Sequence, residues 1–408
     1  MEKPIQHIET EIALVGGGPS ALMAATFLLD AGLKVRLYEY TSSLAKKFNV
    51  AGKSGLNLTN SLEDPSFIEM YGDDAAWIRP FILNFNNKDL RETLLHFLGI
   101  ETYIGSSGKV FPKEDLSGAR FIKLWIKYLK GQGLAVFTHH KFIGWIDDNA
   151  LQFEDRSGDL ITVYAKKAML AMGGVSWPMT GSDGNWIDSF KAKGIQLAPW
   201  QASNCGVQIS ADATFFEKWN GQFLKNVQLS LNGKSVKGEI RISRYGFEGK
   251  PIYHLVPEIR KELRKGDDCT LSLDFKANMS AENLLKKLEE LKGNSLSKTL
   301  KSLSVHPSFS MLLKIYQLDY TTSVDLVKWI KSFPIRVEEL ADIKKAISVV
   351  GGVSKEELNE DLSLKKVPNS YLAGEMIDWD APTGGYLLQA CFSMAKTVAD
   401  SMIEDLKF

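Results

Sequence analysis

What this 408-residue sequence has little of narrows its class first. It carries three cysteines, Cys205, Cys269 and Cys391, far apart and with no C-x-x-C pair. That excludes a disulfide framework and a dithiol redox centre, and it points to a reducing compartment. Net charge is also missing: 49 Lys and Arg balance 49 Asp and Glu. There is thus no global electrostatic case for nucleic acid or an anionic membrane, although a local basic patch stays open. The six histidines form no ligand-spaced cluster, and the adjacent His139 and His140 would point to opposite faces of a strand, so no metal is assigned. The opening MEKPIQHIET lacks the apolar core of a signal peptide, and no later run reaches the length of a membrane span. Together these absences predict a cytoplasmic protein. Ordinary globular composition, 44% hydrophobic and 24% charged, and a length beyond one core predict two or three domains.

What is present begins at residue 11. Ile12, Ala13, Leu14 and Val15 form a continuous apolar run closed by glycines, as in a strand buried on both faces of a parallel sheet. Gly16, Gly17 and Gly18 allow a sharp turn and close backbone approach, and Pro19 suits the first turn of a helix. Helical spacing continues from Ala21 to Leu29, and residues 34–38 read as a second strand. This βαβ unit meets the dinucleotide fingerprint G-x-G-x-x-G/A at Gly16, Gly18 and Ala21. Glu39 ends the second strand, where an acid bonds the adenosine ribose. The helix start, with Ser20, would hold a pyrophosphate. A turn used only for packing is the competing reading, and it leaves the position of Glu39 unexplained.

Residues 42–60 interleave Lys46, Lys47 and Lys53 with Asn49, Asn57, Asn60, Gly52 and Gly55. Such a loop suits an anionic ligand, with Lys47, Asn57 and Thr59 as candidate contacts; a plain surface loop is the alternative. Residues 89–98 and 119–130 read as helices. Four strands at 134–137, 142–146 (with Phe142), 150–154 and 160–164 read as a small meander, and 167–172 as a further strand entering Gly173-Gly174. From residue 191 the composition changes. Strands are expected at 206–209, 227–231, 239–242 and 270–275, a glycine-punctuated turn at 238–251, and helices at 281–291, 295–303, 308–317 and 322–332. Residues 1–190 and 339–408 are therefore expected to form one split domain, interrupted by 191–338. This insert is β-rich over 191–278 and 333–338 and helical over 279–332. Near the end, 346–352 is apolar and glycine-ended, a strand runs into Gly374-Glu375, and Gly384-Gly385-Tyr386 opens a helix through 398.

Leu170-Ala171-Met172-Gly173 resembles the strand-ending A-T-G turn of flavoproteins that bind FAD as glutathione reductase does. SYLAGEMID (370–378) resembles their third signature, h-h-h-x-x-G-D/E, whose acid is Glu375 here. GGGPSA, KFNVAGKSGLNLTN, GKVFP, GEIRISRYGFEGKP, VVGGVS and AGEMIDWDAPTGGYLLQA follow in an order that resembles the BaiN/YhiN-type family of FAD-dependent oxidoreductases over nearly the full length. The resemblance implies an α/β protein with a Rossmann-like FAD-binding domain of the glutathione-reductase type, an inserted β-barrel-like domain and a small helical domain. The implied FAD-binding set is Gly16, Gly17, Gly18, Pro19, Ser20, Ala21, Glu39, Lys47, Asn57, Thr59, Phe142, Ala171, Gly173, Gly174, Gly374, Glu375, Asp378, Gly384, Gly385, Tyr386 and Leu387. The chain departs from the family where members read G-G-G-R-C-N-x-T-N: Gly52 to Asn57 lack the arginine and cysteine. Leu387 stands where an Asn usually follows G-G-Y, and 362–366 read LSLKK. It is similar to a subgroup with A-G-K-x-G-L-N-L-T.

Function is expected to be hydride transfer through FAD to an unsaturated or quinone-like small molecule, with NAD(P)H as a transient donor because no second G-x-G-x-x-G exists. Tyr245, Tyr386 and Lys53 are the candidates for proton handling or anion binding. Two alternatives are a flavin monooxygenase, for which Asp183-Gly184 lacks the following S-x-x-R, and an RNA-associated flavoprotein. Charge balance argues against the latter, so a small-molecule substrate and no nucleic acid are expected.

Overall fold

A computed structural model describes residues 6–52, 55–113, 116–266 and 269–407. Lys53 lies outside the described residues. The chain divides into two compact units, Met1–Gln201 with Ile347–Phe408, and Ala202–Ala346.

The first unit is built on a seven-stranded sheet of β1 (Gln6–Val15), β2 (Val35–Glu39), β3 (Ala135–Thr138), β4 (Lys141–Asp147), β5 (Ala150–Glu154), β6 (Leu160–Leu170) and β7 (Ser370–Leu372), in spatial order β3-β2-β1-β6-β5-β4 with β7 beside β6. Ile12 to Val15 are all buried because helices cover the sheet here. Helix α1 (Pro19–Asp30) is buried nearly all round, and packs against the long closing helix α3 (Tyr386–Lys407). A short helix α2 (Lys46–Ala51) follows β2.

Two expectations about this sheet change. The strand expected at 134–137 does not belong to the meander. As β3 it pairs in parallel with β2, Tyr38 opposite Phe137, and their rings stack at 5.1 Å. The strands expected at 160–164 and 167–172 are one strand, β6. Its first half pairs antiparallel with β5, from Leu160 opposite Glu154 to Tyr164 opposite Ala150. Its other edge runs parallel to β1, from Gln6 opposite Ile161 to Val15 opposite Leu170. Lys166 and Lys167 interrupt the apolar pattern without interrupting the strand, and Lys167 is ion-paired to Asp405 at 2.6 Å. The closing helix runs to Lys407, nine residues past 398, and begins at Tyr386.

The second unit is a closed antiparallel barrel with strands in the order Val207–Ile209, Gly246–Glu248, Lys234–Ile242, Phe223–Leu231, Cys269–Asp274 and Phe333–Leu340, the last closing onto the first. Gly238–Pro251 is thus the end of one strand, a tight turn closed by Ser243 N–H to Gly246 O at 2.8 Å, a second strand and the start of a helix. That helix, Lys250–Lys265, was not expected. It packs Ile252, Leu255, Val256 and Ile259 on the barrel strands. Four helices, Ala281–Glu290, Leu296–Ser302, Ser308–Ile315 and Ser323–Lys331, share the barrel's apolar core. Charge is distributed unevenly: this unit has 23 Lys and Arg against 17 Asp and Glu, the first unit 26 against 32.

Candidate functional site

The candidate site lies at the carboxyl ends of the parallel strands of the first unit, where ligands of open α/β sheets bind. Each glycine of the turn after β1 has a different reason to be there. Gly16 has φ +93°, and a Cβ would lie 2.5 Å from the carbonyl oxygen of Ala171, the residue that continues β6. At Gly17 a Cβ would meet Leu44 at 2.4 Å. Gly18 caps α1 with φ −78°, and a Cβ there would meet only Ala171 O at 3.9 Å. Nothing among the described residues demands glycine at that position. The space it leaves borders the start of α1, where Pro19, buried Ser20 and Ala21 follow and backbone N–H groups lack helical partners.

Glu39 ends β2 beside this turn. Its Oε2 accepts from the Gly17 N–H and its Oε1 from the Thr41 N–H, each at 2.7 Å. The carboxylate is thereby fixed, with lone pairs left over for a diol. Lys47 and Glu375, 328 residues apart, meet: Lys47 Nζ donates to Glu375 Oε2 at 2.5 Å and to Ser176 Oγ at 2.7 Å, while the Val349 N–H donates to Glu375 Oε1 at 3.1 Å. Ser176, in the loop that follows β6, is fully buried and had no role assigned from sequence. Gly374 has φ +87°, and a Cβ would lie 2.8 Å from Ser20 Oγ, so the turn after β7 abuts the start of α1. Cys391 lies against the same turn. Burial pushes its thiol up to about 12, Glu375 adding to the effect and Ser20 and Lys47 opposing it.

A second group of candidates converges nearby. Gly385, at φ +100°, has its Cα so close to the backbone of Thr59 that a Cβ would lie 2.5 Å from the Thr59 carbonyl carbon. This contact sets the start of α3 beside the loop at 55–60, with Asn60 Nδ2 donating to Gly384 O at 3.4 Å. Thr59 Oγ1 and Asn57 Oδ1 are buried polar atoms with no hydrogen-bond partner among the described residues. An unmet buried hydroxyl and amide oxygen cost about 1–3 kcal/mol each. Both were candidates from sequence, and both fit a site that a polar ligand completes. Leu387 is half-buried on α3.

The remaining candidates are distributed more widely. Gly173 (φ +73°) contacts Ser182, and Gly174 has no room for a Cβ beside Val349. Phe142 is in the core of the first unit, edge-on to Trp145 at 5.0 Å and Phe153 at 5.9 Å. Asp378 is half-buried, and burial raises its pKa, Asp74 adding to the effect and Lys355 opposing it. Tyr386 packs on Phe67 and Tyr71 with ring centroids 4.9 and 6.0 Å away, and burial pushes its hydroxyl up to about 12. Tyr245 belongs to the barrel unit, where its hydroxyl donates to Glu248, and burial and that carboxylate push its pKa up. Among the described residues no group of three or more His, Cys, Asp and Glu could hold a metal. No helix there is long and apolar enough to cross a membrane.

The chain is 26% identical over 399 residues to a 3-dehydro-bile acid delta(4,6)-reductase of Clostridium scindens, covering 93% of this chain and 95% of that protein. It is 21% identical over 411 residues to a ribosomal RNA dihydrouridine synthase of Escherichia coli, covering 96% and 97% respectively. Among solved structures, a mutant of the E. coli quinol fumarate reductase chain FrdA shares the fold with a TM-score of 0.54 at 14% identity, over 98% of this chain and 71% of that one. The family described as HI0933-like protein Rossmann domain matches from residue 10 to residue 401. With this match and a Rossmann-type FAD-binding fold, the chain belongs to the HI0933-like family of FAD-dependent oxidoreductases.

Proposed function

We propose that this chain binds FAD at the site of the first unit and reduces a carbon–carbon double bond conjugated to a carbonyl in a small molecule, with NAD(P)H as transient electron donor. The observation that carries the reading is the space at Gly18, where no close contact among the described residues requires glycine and a Cβ would occupy the approach to the start of α1. In this reading the diphosphate lies across Gly17, Gly18 and Ser20 and the adenosine ribose bonds Glu39. Lys47 and Glu375 flank the diphosphate, and Asn57, Thr59 and the N-terminus of α3 face the flavin ring. FAD, when bound, supplies the hydride.

The reaction type is supported by the names of the two long relatives. A delta(4,6)-reductase removes double bonds from a steroid-type ring, and dihydrouridine differs from uridine by two hydrogens across a ring double bond. Saturating a conjugated C=C requires a hydride at one carbon and a proton at the other. Tyr386, at the start of α3, holds its proton throughout the neutral range because burial raises its hydroxyl, and it serves as the donor in this reading. A cytoplasmic location goes with it, supported by three buried cysteines, none of them in a disulfide.

A second reading has one observation in its favour. The barrel unit has a six-charge basic excess despite the neutral whole, and a relative along the full length acts on ribosomal RNA. The deciding experiment is anaerobic: FAD-loaded protein is reduced with NADPH or NADH, then offered 4-androstene-3,17-dione, menadione or an unmodified rRNA transcript. Reoxidation by the enone or quinone is the expected result. Reoxidation by the transcript alone replaces it with the RNA reading, and protein that takes up no FAD overturns both.

A further inference from the structure

We propose that Lys47 is a charge-balancing, positioning residue for the dinucleotide, acting through Glu375; this rests on the FAD reading above. Lys47 brings together three segments distant in sequence: its own loop after β2, the loop after β6 through Ser176, and the turn after β7 through Glu375. Glu375's side chain is 9% exposed and Lys47's 25%, so the carboxylate is the more deeply desolvated partner. Two further contacts put the pair beside the start of α1. The Ala45 N–H donates to Gly17 O at 2.9 Å, and Gly374 abuts Ser20.

A diphosphate at that helix start brings two negative charges toward a buried carboxylate. With the ammonium in place, Glu375 is neutralised and held by two donors, Lys47 Nζ and the Val349 N–H, while Ser176 anchors Lys47, and the anion meets no net charge. Without it, Glu375 is an unpaired buried charge that both strains the apo-protein and repels the ligand. Removing one partner of a buried pair is far costlier than removing both. Glu375 therefore changes from a tolerated neighbour of the diphosphate to an obstacle, according to Lys47.

The test is a double-mutant cycle on full-length protein, read by FAD titration (quenching of FAD fluorescence) and by the unfolding midpoint of the apo-protein. Lys47→Met is expected to weaken FAD binding by about tenfold or more and to lower the apo midpoint. Glu375→Gln alone is expected to have a smaller effect on both. In Lys47→Met/Glu375→Gln most of the lost affinity and midpoint should return, a recovery that a residue binding the phosphates directly would not show. Lys47→Arg, which keeps the charge, should stay near wild type. Wild-type affinity in Lys47→Met, or a double variant as weak as Lys47→Met, overturns the proposal while leaving the FAD assignment standing. If Lys47→Met does not fold, the midpoint of the double variant decides: a folded double variant supports the coupling, and one that also fails to fold while Lys47→Arg folds overturns it. Wild-type protein that takes up no FAD overturns the cofactor reading itself.

Discussion

The two units use charge in opposite ways. The first, with 32 acidic against 26 basic residues, collects its unusual groups at one place: the Lys47–Glu375 pair, the buried oxygens of Asn57 and Thr59 that have no partner among the described residues, and positive-φ glycines pressed against backbone at Gly16 and Gly385. The barrel unit carries the basic excess on its surface, with Lys225, Lys237 and Arg241 exposed along adjacent strands. Its buried polar side chains are mostly engaged within the unit, as Lys331 is with Asp274 and the carbonyls of Lys276 and Met279. A ligand of fixed shape is recognised by placed backbone and paired charge, whereas a diffuse basic surface acts at long range and is screened by salt. The net charge of zero hides this division completely.

The largest effects are expected at the glycines of the first unit. Gly16→Val forces a non-glycine residue to φ +93° against the Ala171 carbonyl and should cost about 3 kcal/mol or more of stability, measured by urea unfolding. Gly18→Val should leave the unfolding midpoint of the apo-protein nearly unchanged, within about 0.5 kcal/mol, while lowering FAD affinity about tenfold or more. If both variants unfold alike, the turn is structural throughout and Gly18 marks no ligand.

The barrel unit is sharpened by salt. If its surface holds RNA, the affinity of the full chain for an rRNA transcript should fall steeply with salt. Lys225→Glu and Lys237→Glu should each reduce the slope of log K against log salt by about 1 with FAD affinity unchanged. A slope near zero removes the surface from consideration as a polyanion site.

The smallest effect is one of pH. Burial raises both Tyr386 and Tyr38 to about 12, so their protonated forms are favoured in the folded state. Their contribution to stability is complete below the unfolded value near 10, and it is lost as pH climbs through about 12. The thermal midpoint should therefore fall between these values, less steeply in Tyr386→Phe. An identical decline in that variant would show that Tyr386 ionises freely.

Much of the first unit could be read from the sequence because its evidence is local. Gly16 to Ala21 and Glu39 lie within one βαβ unit, so spacing alone set the turn, the helix start and the acid in order, and periodicity located the helices Asn87–Leu98 and Gly118–Gly131 to within two residues. Among the helices that escaped are Ala75–Asn84 and Lys250–Lys265. Each contains an interior proline, Pro80 and Pro257, that argues against a helix locally, and burial of the surrounding apolar face outweighs the lost hydrogen bond.

Strand identity was visible where strand partnership was not. That 134–137 joins β2, and that β6 serves the meander with one edge and the parallel sheet with the other, depends on which distant strand offers a matching apolar face and register. The pairing of Lys47 with Glu375 is of the same kind. The sequence determined that a lysine, a buried-turn acid and a nucleotide turn all occur in this chain; only the tertiary structure brought the two charges to 2.5 Å, because the energy of an ion pair depends on separation and desolvation, and neither is encoded in a spacing of 328 residues.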